Sequence, residues 1–592
     1  MLQLTEKPLR NHSGRRLIRP VLLALLVCLL GRGEALPATA STVPGEQTAQ
    51  WLATLVDGRE KLPEGLVGPN GFVMAVEVGD LYRGRDFRPL WQTASGLRPS
   101  TYLLVDRLRN AADHGLCGED YLLAPLEELL KNRAAQASSQ KSPQPLDAAV
   151  LDLFLTQAFF AYATHLVEGQ VDPALAHVDW RARRRKVDLA RLLPPAVEGE
   201  SLGTLLGELV PPHPEYRQLM GALARQREIA ARGGWPVIPD GETLRPGDID
   251  PRLPVVRARL LATGELPQPI SYERNAFGMT TLMAVRQFQE RHGLEPDGVI
   301  GPRTLKELNL TAEDRVRQIE LNMERWRWMP RDLGRRHIRI NIADFSLKVV
   351  EDGQTVLEMP VIVGTPYRRT PVFSSQMSYL EFAPTWTVPA TILREDKLPA
   401  IRKNPAFLTK NHFRVIRRTG QEINSEELAA INWHALQPER FPGDLRMDPG
   451  PWNPLGRVKF MFPNPYNVYL HDTNERWLFD RTVRTFSSGC IRIGKPVELA
   501  RYLLQDQPKW DEERLQNALG RTAPMQVSIN PIPTHIQYWT TWVAADGSTQ
   551  FRTDLYLRDL DLEVALSYPV ASPVRNLATP RGKKAIRVSA LH

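Results

Sequence analysis

The run Phe345–Gly364, FSLKVVEDGQTVLEMPVIVG, alternates apolar and polar residues on either side of Asp352-Gly353. A period of two with an Asp-Gly dipeptide at its centre predicts a β-hairpin closed by a tight turn. Upstream, Ile338, Ile340 and Ile342 keep the same alternation, and downstream PVFSSQMSYLEFAPTWTVP (371–389) continues it. Residues 338 to about 390 therefore read as antiparallel β-structure. Residues 394–457 break the period with helix, prolines and the run PGDLRMDPGPWNPLG, as an insertion folded over a sheet would. Strands resume at VKFMF (458–462), NVYL (467–470) and APMQVSI (523–529); HIQYWTTWV (535–543) and TQFRTDLY (549–556) add a final pair.

The residues before the hairpin have a different period. From about 41 to 250 the chain reads as helical, with Leu103, Leu104, Leu108 and Ala111 on one face and Leu151, Leu155, Phe159 and Tyr162 on another. His165 on this apolar face reads as a core or boundary residue, and the Ala/Ser/Gln/Pro-rich stretch 134–146 as an exposed linker. TTLMAVRQFQERHGLEPDGVIGPRTLKELNL (280–310) is a small unit. Leu282, Val285, Phe288 and Gln289 trace one helix, Asp297-Gly298 turns the chain, and Gly301-Pro302 restarts it. His292 has no second ligand at metal spacing and reads as a loop residue. Thr311-Ala-Glu-Asp314 has the form of a capping box. The stripe Val316, Ile319, Met323 and Trp326 after it predicts a connecting helix ended by Pro330, with Arg315, Arg317, Arg325 and Arg327 on a solvated face.

A chain of 592 residues exceeds one core and predicts about three or four domains. Its 75 Lys and Arg against 67 Asp and Glu leave a net charge of +8, without the dense basic run that nucleic acid would call for. Lys7, Arg10, Arg15, Arg16 and Arg19 precede VLLALLVCLL (21–30) and the small residues Ala38-Thr39-Ala40, the layout of a secretory signal peptide. Ten helical residues span about 15 Å, roughly half a bilayer core, and no later segment reads as long and apolar enough to cross one. Cleavage would leave two of the three cysteines, Cys117 and Cys490, in an oxidising compartment, either as a disulfide or as two separate thiols. Cys117, amid Leu116, Tyr121 and Leu122, reads as a half-buried small residue.

Cys490 has chemistry around it: YLHDTNERWLFDRTVRTFSSGCIRI (469–493). A thiolate nucleophile needs a base, oxyanion donors and access. His471 ends a strand and can meet Cys490 if the chain returns, drawing the thiol below its usual pKa of about 8.5. Ser487-Ser488-Gly489 forms a small-residue turn in which Gly489 permits positive φ. A papain-like arrangement is disfavoured because there the cysteine precedes the histidine. A zinc peptidase is disfavoured because His412, His434, His471 and His535 lack ligand spacing.

SSGCIR with YLHDT, RTPVFSS and PTWTVP resembles the YkuD-type L,D-transpeptidase catalytic domain, over roughly 336–530. AVRQFQ, HGL and DGVIGPRT, in that order, resemble the three-helix peptidoglycan-binding module. DPGPWNPLGRVKFMFPN and HIQYWTTWV resemble the large periplasmic YcbB-like subgroup. These resemblances imply a multidomain α+β protein. The expected parts are a signal peptide (1–40), a helical scaffold domain (41–250), a peptidoglycan-binding-like module (251–310) and a connecting helix (311–335). A mostly antiparallel β catalytic domain (336–575) with a lid-like insertion (394–457) and a basic tail (576–592) complete it.

The implied nucleophile is Cys490 and the base His471, supported by the backbone carbonyl of Asp472, whose carboxylate is expected at the surface. Gly489 and Cys490 N–H groups, with the Tyr469 hydroxyl, are the expected oxyanion donors. Arg492 is expected either on a substrate carboxylate or in a structural salt bridge, and Trp386 either in the donor groove or in the core. Ser487 and Ser488 are expected at the substrate; Ser488 stands where many members have histidine, and Asn474 where the subgroup often has proline. No metal or cofactor is implied. The implied activity is 3→3 cross-linking of peptidoglycan stem peptides, as donor and acceptor, through a cysteine thioester with release of D-Ala. An L,D-carboxypeptidase using water and a non-catalytic wall-binding scaffold are the alternatives. The implied compartment is the periplasm, with inner-membrane association if the leader stays, beside cell-wall synthases and carboxypeptidases.

Overall fold

A computed structural model describes residues 44–62, 74–140, 142–176, 180 and 185–567. The expected signal peptide and basic tail lie outside these residues. The predicted hairpin forms from β1 Arg336–Asn341, β2 Ser346–Glu351 and β3 Gln354–Gly364. Asp352 and Gly353 join β2 to β3 at φ 49° and 78°, the two positive values that a type I′ turn needs. Six further strands follow: β4 Phe373–Phe382, β5 Val458–Met461, β6 Leu470–His471, β7 Thr485–Ser487, β8 Ile491–Ile493 and β9 Met525–Gln537.

The strand order is β7-β3-β8-β6-β5-β4-β9-β1-β2, and β2 also pairs with β3. The sheet thereby closes on itself, so it leaves few exposed edges. Pairing is mostly antiparallel, with β6–β8, β9–β1 and β7–β3 parallel. Ile338, Ile340, Leu380, Phe460, Leu470 and Ile491 fill the interior, each fully buried. Burying side chains of this size is worth about 1.5–3 kcal/mol apiece. APMQVSI and the first residues of HIQYWTTWV are one thirteen-residue strand rather than two. Its register on β4 slips between Ser528 and Ile532, beside Pro531 and Pro533, which have no N–H for the ladder.

The insertion between β4 and β5 is a layer with its own core. Trp386–Thr387, Phe413–Ile416 and Asp444–Met447 form a three-stranded sheet whose Val415 shares a core with Leu398 and Ile401. Fully buried Asn453 ties its end to the barrel, donating to the carbonyls of Pro384 (3.0 Å) and Asp448 (3.1 Å).

In the helical part, α1 Pro145–Glu168 is buried on all sides from Ala148 to Phe160. By length and composition it could cross a membrane, contrary to the sequence expectation, but its apolar surface is covered by protein. Within it, the Asp152 carboxylate takes the N–H groups of Leu90 (2.7 Å) and Trp91 (2.9 Å) and the Tyr82 hydroxyl (2.6 Å). The expected linker at 134–146 begins inside helix Leu123–Ser138, because Ala134, Ala135, Gln136 and Ala137 are good helix formers. Cys117 is exposed, not half-buried; Leu116 takes the buried position, and Cys117 and Cys490 are both free.

Three further helices meet the barrel: α2 Pro214–Ala231, α3 Met279–Arg291 and α4 Ala312–Arg327. The capping box of α4 forms in full, Thr311 and Asp314 each bonding the other's backbone N–H. Its arginines correct the solvated-face reading: Arg315, Arg325 and Arg327 are at most 2% exposed. Arg315 pairs with Glu307 (2.6 Å), Arg327 with Glu324 (2.6 Å), and Arg325 with Asp559 on α5 Arg558–Ser567. Only Arg317 of the four keeps substantial solvent contact. His292, expected in a loop, ends α3 as a buried ring stacked on Phe288 (3.8 Å) and Phe551 (5.4 Å). This contact docks the small helical unit on the separate two-stranded sheet formed by Thr541–Val543 and Thr549–Phe551.

Candidate active site

Parallel pairing of β6 with β8 sets Leu470 beside Ile491 and His471 beside Arg492. Leu470 and Ile491 point into the barrel core, so alternation puts Tyr469, His471, Cys490 and Arg492 on the opposite face, under the insertion. The long return from His471 to Cys490 thus brings the two predicted residues to one face of adjacent strands.

Cys490 leaves a turn fixed by its own backbone and by a neighbouring loop. Gly489 has φ 112°, and the Ser487 hydroxyl donates to the Cys490 carbonyl (2.5 Å) while accepting the Gly489 N–H (3.2 Å). Ser487 therefore staples the turn. It also takes the Gly489 N–H that the sequence reading assigned to the oxyanion, leaving the Cys490 N–H and the Tyr469 hydroxyl from that set. The Thr370 hydroxyl donates to the Gly489 carbonyl (2.9 Å), and the Thr365 N–H to the Ser487 carbonyl (3.0 Å). Ser488 is exposed and accepts from Arg368 Nη1 (3.0 Å).

The thiol donates to the carbonyl of Asn467 (3.8 Å), a residue held at φ 54°. Burial pushes the Cys490 thiol up, only partly offset by hydrogen bonds from Tyr469 and by nearby Lys459. Burial and the adjacent thiol likewise push the Tyr469 hydroxyl up. The resting group is a thiol, which corrects the expectation of a lowered pKa.

His471 is buried, and its Nδ1 donates to the Asp472 carbonyl (2.6 Å). That bond fixes the tautomer and leaves Nε2 as the basic nitrogen. Burial, then repulsion from Arg492, pushes the imidazole down to about 3, although the carbonyls of Asp472 and Pro454 both favour its charged form. Burial thus favours the neutral form of both Cys490 and His471.

The Asp472 carboxylate is not at the surface. It is buried and accepts from the Arg457 N–H (2.9 Å) and Arg476 Nη1 (3.0 Å), anchoring the chain after His471. Arg492 is paired with Glu475 (2.5 Å). Trp386 packs in the core of the insertion against Phe413 (6.0 Å), with the Lys397 ammonium 5.6 Å from its ring. Asn474 donates to the Trp452 carbonyl (3.2 Å). Arg368, Thr370, Pro454 and Asn467 were not singled out in the sequence; RTPVFSS, DPGPWNPLG and NVYL marked the segments of Thr370, Pro454 and Asn467, but nothing local marked Arg368. Among the described residues, no group of three His, Cys, Asp or Glu side chains is arranged to hold a metal ion.

Residues 335–514 match the L,D-transpeptidase catalytic domain, 252–308 the "Putative peptidoglycan binding domain" and 76–223 the "Scaffold domain". A "Putative L,D-transpeptidase" of Haemophilus influenzae is 34% identical over 266 residues, 44% of this chain and 51% of the relative. The match therefore spans about half the length of that relative. A solved L,D-transpeptidase of Mycobacterium smegmatis is 14% identical over 34% of this chain and 58% of its own, at a TM-score of 0.18. One from Xylanimonas cellulosilytica is 16% identical over 50% of this chain and 99% of its own, at a TM-score of 0.14. The chain thus carries a YkuD L,D-transpeptidase catalytic domain over residues 335–514, with a scaffold domain and a peptidoglycan-binding domain ahead of it.

Proposed function

We propose that the chain is a cysteine-dependent L,D-transpeptidase that forms 3→3 cross-links between peptidoglycan stem peptides. The observation that carries this reading is the Gly489 turn, which presents Cys490 on the same sheet face as His471, with His471 Nδ1 already bonded to the Asp472 carbonyl. In the proposed reaction the Cys490 thiol gives its proton to His471 Nε2 as the sulfur attacks the carbonyl of the third stem residue. The developing oxyanion takes the Cys490 N–H and the Tyr469 hydroxyl. His471 then protonates the departing D-Ala amine, leaving a thioester. The side-chain amine of a second stem attacks that thioester, His471 removes its proton, and the thiol is restored. Water in place of the amine makes the same site an L,D-carboxypeptidase.

A substrate of this kind places the work outside the cytoplasm. We assign it to the periplasm, with inner-membrane association if the leader is retained, and synthases and carboxypeptidases as the proposed neighbours. Incubation with purified tetrapeptide muropeptides tests the reaction. Cross-linked dimer with D-Ala release is expected, whereas free tripeptide without dimer selects the hydrolase. A β-lactam should add its mass to the intact chain and not to Cys490→Ala; equal labelling of both rejects the nucleophile.

A further inference from the structure

Arg368 lies beside the nucleophile turn, on the loop joining β3 to β4. That loop is held to the turn by the Thr365–Ser487 and Thr370–Gly489 bonds already described. Thr370 is itself fully buried and gripped by the Gly364 N–H (2.9 Å) and Arg558 Nη2 (3.1 Å). From this fixed base, Arg368 Nη1 donates to Ser488 Oγ (3.0 Å), two positions before Cys490. The same guanidinium forks onto Asp396, Nη1 to Oδ2 (2.6 Å) and Nη2 to Oδ1 (2.7 Å), and Nη2 also reaches Glu395 (2.9 Å). Both acids belong to the π-helical turn Leu393–Lys397 of the insertion. The fork holds the Asp396 carboxyl below its usual range. A planar guanidinium with two parallel donors is the geometry that binds a carboxylate best.

This pairing differs from its neighbour in what it joins. Arg492 is matched by Glu475, on the chain just after β6 and next to the site. Arg368 is matched across to a layer with a separate core, and its acidic partners are 40% exposed. Ion pairs this open to water contribute little and exchange readily.

We propose that Arg368 is the receptor for the terminal carboxylate of the donor peptide, and that Asp396 and Glu395 compete with the donor for it. The proposal rests on the transferase reading, because a donor that loses its terminal residue carries a carboxylate one residue beyond the attacked carbonyl. Donor binding would then release the insertion from the turn, coupling its movement to recognition of a free C-terminus.

The test is calorimetric binding of a tetrapeptide muropeptide and its C-terminal amide to the Cys490→Ala chain, which needs no turnover. The free acid is expected to bind about tenfold tighter than the amide, a ratio that Arg368→Gln reduces to about one. Asp396→Asn with Glu395→Gln should tighten the acid about threefold and leave the amide unchanged. Equal affinity of acid and amide, or a ratio that survives Arg368→Gln, overturns the proposal. If Arg368→Gln does not fold, the double variant decides: no selective gain for the acid overturns it. D-Ala release by the unmodified chain is measured in parallel. No release with the acid preference intact defeats the transferase reading alone, and release without the preference defeats the Arg368 reading alone.

Discussion

Gly489 and Gly456 support Cys490 and His471 in different ways, and alanine at each should fail for a different reason. At Gly489 an added Cβ meets only the carbonyls of Arg369 (3.6 Å) and Arg368 (3.9 Å), so there is room for it. The obstacle is φ 112°, which costs a side-chain-bearing residue about 1–3 kcal/mol. Gly489→Ala should therefore relax the turn and swing Cys490 away from His471, cutting D-Ala release about 100-fold with little change in Tm. Near-normal activity would show that the turn conformation is not required. At Gly456 the Cβ falls 2.5 Å from the Asp472 carboxylate, a collision with the group that anchors the histidine's support. Gly456→Ala should lower both Tm and activity. Cys490 and His471 were legible because nucleophilic catalysis narrows the residue types that can serve. Arg368 was not, since an arginine in a loop carries no sign of which turn its backbone will be tied to.

Among the elements, α4 shows where sequence periodicity succeeds and where it misleads. Its cap and its apolar stripe were readable because both are local, set by residues three or four apart. The arginines were misread because groups that bury them come from elsewhere: Asp559, the partner of Arg325, lies over two hundred positions away on α5, and Tyr216 of α2 accepts from Arg327. Period-two strands were similarly plain, whereas the parallel β6–β8 pairing that builds the site joins Leu470 to Ile491 across the long return and has no local mark. The Arg325 pairing yields an energetic prediction. Asp559 is also bonded by Thr540 Oγ1 (2.7 Å), and Thr540 in turn by Asn322 of α4 (2.8 Å), so the acid completes a buried network. Asp559→Ala would leave the fully buried Arg325 cation without its carboxylate. The expected loss is about 3–5 kcal/mol, read as a lower unfolding midpoint in denaturant. A loss below about 1 kcal/mol would mean that water replaces the carboxylate at no great cost.

At the scale of the whole molecule, buried histidines make the fold sensitive to acid. Burial pushes His114 and His535 down to about 4 and His471 to about 3, and lowers His213, His292 and His337 as well. His213, His337 and His535 also share one junction with Arg339, which repels their charged forms, while Glu215 and Asp332 oppose it only in part. The sign follows from comparison with an unfolded imidazole near 6.5. Below that value the unfolded chain takes up protons that the fold refuses. Stability is therefore complete above about pH 6.5 and falls as the pH drops toward the folded values, by about 1.4 kcal/mol per pH unit for each histidine. Unfolding at pH 5 should accordingly take up several protons, and Tm should drop steeply between pH 7.5 and 5. His535→Gln should reduce that slope by about one proton's worth. A Tm that stays level over this range would contradict the burial of neutral histidines throughout the fold. Because His471 remains neutral across the same interval, any acid loss of activity should track this unfolding instead of a separate titration of the base.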